Sequence, residues 1–329
     1  MRVLQKPCNG KRRVGAAIAL AGLLLAGGAR SGAAEENIRF GKSLATLFHY
    51  TPVDIGIAEG FFRKRGLAVE TTSLPGDAKL QQAFAAGAVD IGVGGGPALA
   101  FVAKGSGDLG VAQAAGPPLG ATLTVLADSP VKSLKDLKGR VASISTVGSQ
   151  TEWMIREISR QQGWGADGIK MVALGEVPAQ IAALKTRQTD AFTADITTAY
   201  RLAEAGEGRI LVKFGDVIPS YVNSVLFASN DMMAKRPDAL RAFLAGWLDS
   251  VAYMKKNKES TVRIAAGVLK IAEPIVARVY DETARMITDD GRFDRKGLAV
   301  LSGSFVEMKM LPTEPDISTL YTEKFLPTR

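Results

Sequence analysis

From residue 37 onward, short β-rich runs alternate with amphipathic stretches that stop at glycine. That rhythm is the grammar of a parallel α/β fold. It predicts a strand over 37–42 and a helix over 53–65. Val53, Ile57 and Phe61 stand at i, i+4 and i+8 as the expected buried face, with Gly66 as a left-handed stop before a strand near 67–71. The cycle recurs as a helix over 79–86 stopped at Gly87, a strand over 89–93, and a helix over 97–104 stopped at Gly105. A second α/β unit is expected from a strand over 121–127. There Ser133 and Asp136 form a capping-box pattern ahead of a strand over 140–145. A helix from Ser149, strands over 169–174 and 190–194, a helix over 178–185 and a further helix ending near Gly206 complete that unit. A strand over 221–229 returns the chain. The remainder reads as helical, with Leu240, Phe243, Leu244, Trp247, Leu248 and Val251 forming a core stripe.

Ahead of this pattern, five basic residues (Arg2, Lys6, Lys11, Arg12, Arg13) precede an apolar run over 14–26 and the small residues Ser31-Gly32-Ala33-Ala34. The run is shorter than the roughly 20 residues of a membrane span, and the order is that of a cleaved secretory signal over residues 1–34. Cys8 precedes the run, where a lipoprotein cysteine would follow it, so no lipid anchor is expected; Arg12-Arg13 leaves the export route open. Residues 1–34 hold six basic residues and no acid, so their removal takes the formal charge from +8 to +2. The remainder has no basic tract interleaved with aromatics, which argues against a nucleic-acid partner. The 295 residues left from 329 exceed what one core usually serves, so two domains are expected.

Gly56-Ile57-Ala58-Glu59-Gly60-Phe61-Phe62-Arg63-Lys64-Arg65-Gly66-Leu67-Ala68-Val69-Glu70 resembles the opening signature of the nitrate/sulfonate/taurine family of ABC-transporter substrate-binding proteins, which also includes binders of thiamine pyrimidine precursors. Ala86-Gly87-Ala88-Val89-Asp90-Ile91-Gly92, Ser133-Leu134-Lys135-Asp136-Leu137-Lys138-Gly139, and Ala182-Ala183-Leu184-Lys185 followed by Thr189-Asp190-Ala191 match in the same order and spacing. The resemblance implies an α/β type II periplasmic binding protein. Two lobes, 36–124 plus 228–329 and 125–227, would be joined by two crossover strands with a ligand cleft between them. The implied role is capture of a small, anionic organic solute of the sulfonate or carboxylate class. Delivery would be to permease and ATPase subunits in the inner membrane, by a periplasmic monomer without cofactor or metal. A sensor subunit passing ligand to a membrane receptor is the alternative reading.

Open α/β sheets place ligands beyond the carboxyl ends of their strands, near helix N-termini that offer free amides. Gly95, Gly96 and Pro97 follow one strand and open a helix, as a ligand approach or as a turn in crowded packing. Ser145, Thr146, Gly148, Ser149 and Thr151 form the corresponding candidate in the other unit, Ser149 equally as a cap paired with Glu152. His49, the single histidine, and Tyr50 follow the first strand. Asp195 stands as a ligand contact or an N-cap, and Tyr221 and Asn223 as cleft closers or hinge residues. Lys42 reads as a solvated surface residue and stays outside this set.

Catalysis is the rival class, since relatives of this fold include enzymes that depend on cysteine or histidine. After Ala34 the sequence has no cysteine, one histidine and no Gly-x-Ser-x-Gly elbow. A binding protein without enzymatic activity is the expectation.

Overall fold

Ten strands sort into two five-stranded sheets in the computed structural model, which describes residues 35–328. The signal expected over 1–34 lies outside the described residues. The first half alternates β1 (Glu36–Lys42), α1 (Pro52–Ala58), β2 (Leu67–Ser73), α2 (Asp77–Ala85), β3 (Ile91–Gly95), α3 (Leu99–Val102) and β4 (Asp108–Ala115). There follow β5 (Ala121–Leu126), β6 (Val141–Ile144), α4 (Gln150–Gln161), β7 (Lys170–Ala173), α5 (Val177–Lys185), β8 (Ala191–Asp195), α6 (Ile196–Glu204), β9 (Gly208–Lys213) and α7 (Phe214–Val217). Strand β10 (Ser224–Ser229) returns the chain. Five helices close it: α8 (Asn230–Lys235), α9 (Pro237–Lys256), α10 (Lys258–Leu269), α11 (Glu273–Thr283) and α12 (Arg295–Glu307).

The strand orders are β2-β1-β3-β10-β4 and β7-β6-β8-β5-β9. In the first sheet β1 pairs parallel with β2 and β3, and β10 inserts antiparallel between β3 and β4. The second repeats the plan, with β6 parallel to β7 and β8, and β5 antiparallel to β8 and β9. Each sheet therefore receives one antiparallel strand as the chain arrives from the other. The change of sheet occurs over 116–120 and 214–223, whereas the lobe limits expected at 124/125 and 227/228 fall inside β5 and β10.

Under the first sheet, α9 supplies the largest apolar anchors. Phe243 stacks on Phe40 and Phe62 at ring-centroid distances of 5.4 and 4.9 Å, and Trp247 is buried beside them. Each such burial contributes about 1.5 to 3 kcal/mol. A Cβ on Gly56 of α1 or Gly246 of α9 would stand 2.5 or 2.7 Å from the Phe62 ring, so glycine at both is what lets these helices close over it.

Helix α1 stops at Ala58 rather than at residue 65, because the backbone turns left-handed at Gly60. The change of register puts Phe62 in the core in place of Phe61, which is half-buried, and leaves Ile57 41% exposed. Gly66 is left-handed as expected, at φ 72°. Lys42 is buried, not solvated: its Nζ donates to both carboxylate oxygens of Asp54 at 2.8 Å, so its charge is met inside the fold.

Candidate functional site

The carboxyl ends of β1, β2 and β3 and the amino end of antiparallel β10 all point toward the second sheet. There the loops that follow them enclose a cavity of about 130 Å³. The loop after β1 supplies Ser43, Leu44, Leu47, His49 and Tyr50, the loop after β2 Gly76 and Asp77, and β3 its last residue, Gly95. From across the cleft comes Gln150, the first residue of α4, and the return segment adds Asn223 and Ser224. The volume is below the roughly 300 to 1,000 Å³ of drug-sized pockets, so this conformation suits a small solute. Larger hollows of about 530 and 330 Å³ lie around Arg39, Asp90 and Arg236, and around Gly148, Arg156 and Lys309. The first of these is at the opposite, amino end of the parallel strands.

The cavity's polar groups bond one another in separate clusters. Gly95 N donates to Asp77 Oδ1 at 2.9 Å, and Ser43 lines the cavity beside it. Tyr50 Oη lies 3.3 Å from Ser43 Oγ. Gln150 Nε2 donates to Asn223 Oδ1 at 3.1 Å, and Asn223 Nδ2 stands 3.5 Å from His49 Nε2. The Gln150 bond links the two halves of the fold directly over the cavity.

Burial pushes the Asp77 carboxyl above its ordinary range, opposed by the bonds from Gly95 and Ser43. Burial likewise lowers His49 to about 4, so the imidazole is neutral at physiological pH. Tyr50 is raised, by burial first and by the Asp77 charge second. No lysine or arginine lines the cavity. The anionic solute expected from the sequence therefore meets no complementary charge here. A like charge about 4 Å from an ionised Asp77 would instead be repelled by roughly 4 kcal/mol at an effective dielectric of 20.

Of the residues expected from the sequence, the structure brings His49, Tyr50, Gly95 and Asn223 to this cavity. Gly96 is closely approached, but by protein: a Cβ there would stand 1.9 Å from the Val222 carbonyl oxygen. Pro97 is buried in the first turn after it. Ser145, Ser149 and Thr151 are bonded to one another, Thr151 Oγ1 lying 3.0 Å from Ser145 Oγ and 2.7 Å from Ser149 Oγ. Ser149 caps α4 by accepting from Glu152 N at 3.3 Å. Thr146 is exposed nearby, and Gly148, at φ 78°, packs on the Met308 carbonyl. Asp195 is the N-cap of α6, taking Thr197 N at 3.0 Å and Thr198 N at 3.1 Å. Tyr221 is wholly buried and stacks on Trp153 at 5.0 Å, which makes it core rather than a cleft closer.

Asp77, Gly76, Ser43, Ser224 and Gln150 were not singled out. A signal for Asp77 was available: Pro75-Gly76-Asp77 follows a strand and opens a helix, the very position that marked the glycines after β3.

The halves also meet away from the cavity. Tyr200 of α6 donates to Glu282 of α11 at 3.1 Å with Arg278 4.0 Å over its ring, and on another flank Arg160 of α4 pairs with Glu307 of α12 at 2.8 Å. Among the described residues no group of three or more His, Cys, Asp or Glu is placed to hold a metal ion, and no helix is long and apolar enough to cross a membrane.

A family model described as NMT1/THI5 like matches residues 48–261, which run from the loop after β1 into α10. The chain belongs to that family. A candidate binding protein of Brucella abortus is 25% identical over 219 residues, 66% of this chain and 67% of that one. The fold is shared with the periplasmic aliphatic sulphonate binding protein SsuA of Escherichia coli, at a TM-score of 0.74 and 20% identity, over 87% of this chain and 91% of that one. It is shared also with the periplasmic nitrate-binding protein NrtA of Synechocystis, at 0.66 and 13%, over 88% and 86%. The periplasmic binding fold implied by the sequence signature is the fold observed.

Proposed function

We propose that this NMT1/THI5-like chain is the exported solute-binding component of an ABC importer, holding one small polar solute between two hinged lobes and presenting it to membrane permease subunits. The observation that carries this is the cavity itself. Three parallel strands end at it, a helix from the second sheet roofs it, and the return segment between the sheets lines it. Opening about 116–120 and 214–223 would separate Gln150 from Asn223 and admit solute; closure would restore that bond.

Binding without turnover is the chemistry proposed. The imidazole of His49 faces the amide of Asn223, and among the described residues no acid is hydrogen-bonded to it to orient it as a catalytic base. The test is a thermal-shift screen of residues 35–329 against a library of small polar solutes, followed by small-angle scattering with any hit. A solute at 100 times its dissociation constant stabilises by about 2.7 kcal/mol and should contract the molecule. Product formation from a bound solute, or stabilisation by none, would refute the reading. Export is proposed to remove residues 1–34, and mass spectrometry of the periplasmic protein checks it: an intact N-terminus or a lipidated one contradicts the proposal.

A further inference from the structure

We infer that the solute carries a positively charged nitrogen with N–H donors, an ammonium or amidinium group, and that Asp77 is the side chain that receives it. This rests on the solute-binding reading above and names the class of solute. Four observations converge on it.

Asp77 is the only formally charged side chain lining the cavity once His49 is neutral. It makes no ion pair among the described residues, its hydrogen bond coming from the Gly95 amide. Lys42, the buried cation that ends β1, is held by both oxygens of Asp54, so it does not serve Asp77. Asp77 is half-buried, and a carboxylate partly withdrawn from solvent without a counter-charge is costly, a cost that a bound cation lowers.

The side-chain amides around it bond first within the wall, one N–H of Gln150 Nε2 going to Asn223, and Asn223 Nδ2 lying toward His49 and Ser224. An ionised carboxylate is acceptor-only, so a charged Asp77 offers the cavity lone pairs and no donor. The side-chain bonds of the wall thus run largely among its own residues, while Asp77, which lines the cavity, keeps acceptor capacity beyond the one bond from Gly95. A solute rich in N–H donors fits that balance, and a sulfonate or carboxylate, with only acceptors to offer, does not.

The experiment is calorimetric titration of residues 35–329 with ethylammonium, methylguanidinium and acetamidinium against ethanesulfonate, acetate and nitrate, on wild type and on Asp77→Asn. At least one cation should bind wild type and no anion should. Asp77→Asn, which keeps the side chain's shape and its bond from Gly95, should weaken that binding roughly ten- to a hundredfold, the loss of one charge-assisted bond. Because wild type alone decides between the charge classes, a variant that fails to fold does not spoil the result. An anion that binds wild type, and loses affinity when Leu44→Trp obstructs the cavity, would overturn the inference while leaving the solute-binding reading intact. Absence of binding by all three cations overturns it as well; silence from the whole solute library would remove both readings together.

Discussion

Gly96→Ala should damage this protein through its hinge. A Cβ at position 96 would stand 1.9 Å from the Val222 carbonyl oxygen, where ordinary contact begins at 3.4 Å, so the two backbones must separate by the difference, 1.5 Å. Gly96 N also donates to the Asn223 carbonyl at 2.9 Å, a bond that such a displacement breaks. Overpacking of this kind costs about 1 to 3 kcal/mol and the lost bond about 0.5 to 1.5, together about 2 to 4 kcal/mol. With an unfolding entropy near 2.1 cal/mol/K per residue, that corresponds to a fall of about 3 to 6 °C in Tm for a chain of this length. Solute affinity should fall in parallel, because Asn223 lines the cavity and moves with Val222. Gly95→Ala is the control. Its backbone, at φ −64° and ψ 151°, suits any residue, and the new Cβ is crowded by the carboxylate end of Asp77, at 2.8 Å, with Pro97 in ordinary contact at 3.5 Å. It should therefore change affinity with little change in melting. Scanning calorimetry of both variants without solute decides the matter: a Gly96→Ala melting temperature within about 1 °C of wild type would show that the Val222 contact does not constrain the hinge.

Three further outcomes are expected. The single histidine offers a clean NMR titration, and His49 should protonate near pH 4; since its folded pKa lies below the ordinary 6.5, the stability linked to it is complete above pH 6.5 and declines as pH falls toward 4, by up to about 1.4 kcal/mol per pH unit, a slope that His49→Gln should flatten. Burial alone would raise Asp90, but the Arg39 side chain, which donates to both its oxygens at 3.1 and 2.6 Å, holds it below the usual range; the stability this lends is present above the ordinary carboxylate pKa and lost as pH falls through the lowered one, so Arg39→Ala should move the acid-unfolding midpoint to higher pH by circular dichroism. Tyr200→Phe removes the bond to Glu282 and keeps the Arg278 stacking, so it should shift the closed-to-open ratio about tenfold toward open; an unchanged radius of gyration without solute, together with an unchanged affinity, would show that this contact does not hold the lobes.

The order of elements in the α/β part was legible because glycines punctuate it. Gly66, Gly87, Gly105 and Gly206 all adopt positive φ where the pattern placed a stop. Strands β4 and β9 were not anticipated. Asp108-Leu-Gly-Val-Ala-Gln-Ala-Ala is poor in β-branched residues, and its place in the sheet is secured by β10, a strand more than 100 residues later. The cavity was half legible for a similar reason. His49, Tyr50 and Gly95 could be found from strand ends, since a strand's exit is a local feature. That Ser145, Ser149 and Thr151 satisfy one another, and that Gly96 is approached by Val222, depends on packing between distant segments, which no local pattern records. Asp77 was missed because helix N-termini were weighed for the anions they favour, and the acid that opens α2 was not weighed as a group of the cavity itself.

The exchange of strands between the sheets sets an order of assembly. All five strands of the second sheet lie within 121–213, an unbroken stretch that can complete itself as soon as it is available. The first sheet cannot. Its β3 and β4 are finished by residue 115, yet the strand that joins them begins at Ser224, so at roughly 5 to 20 residues per second their facing edges wait about 5 to 22 s during synthesis. For that interval the nascent chain carries two open β-edges beside a finished neighbour, and any factor that keeps it from pairing wrongly has to act there.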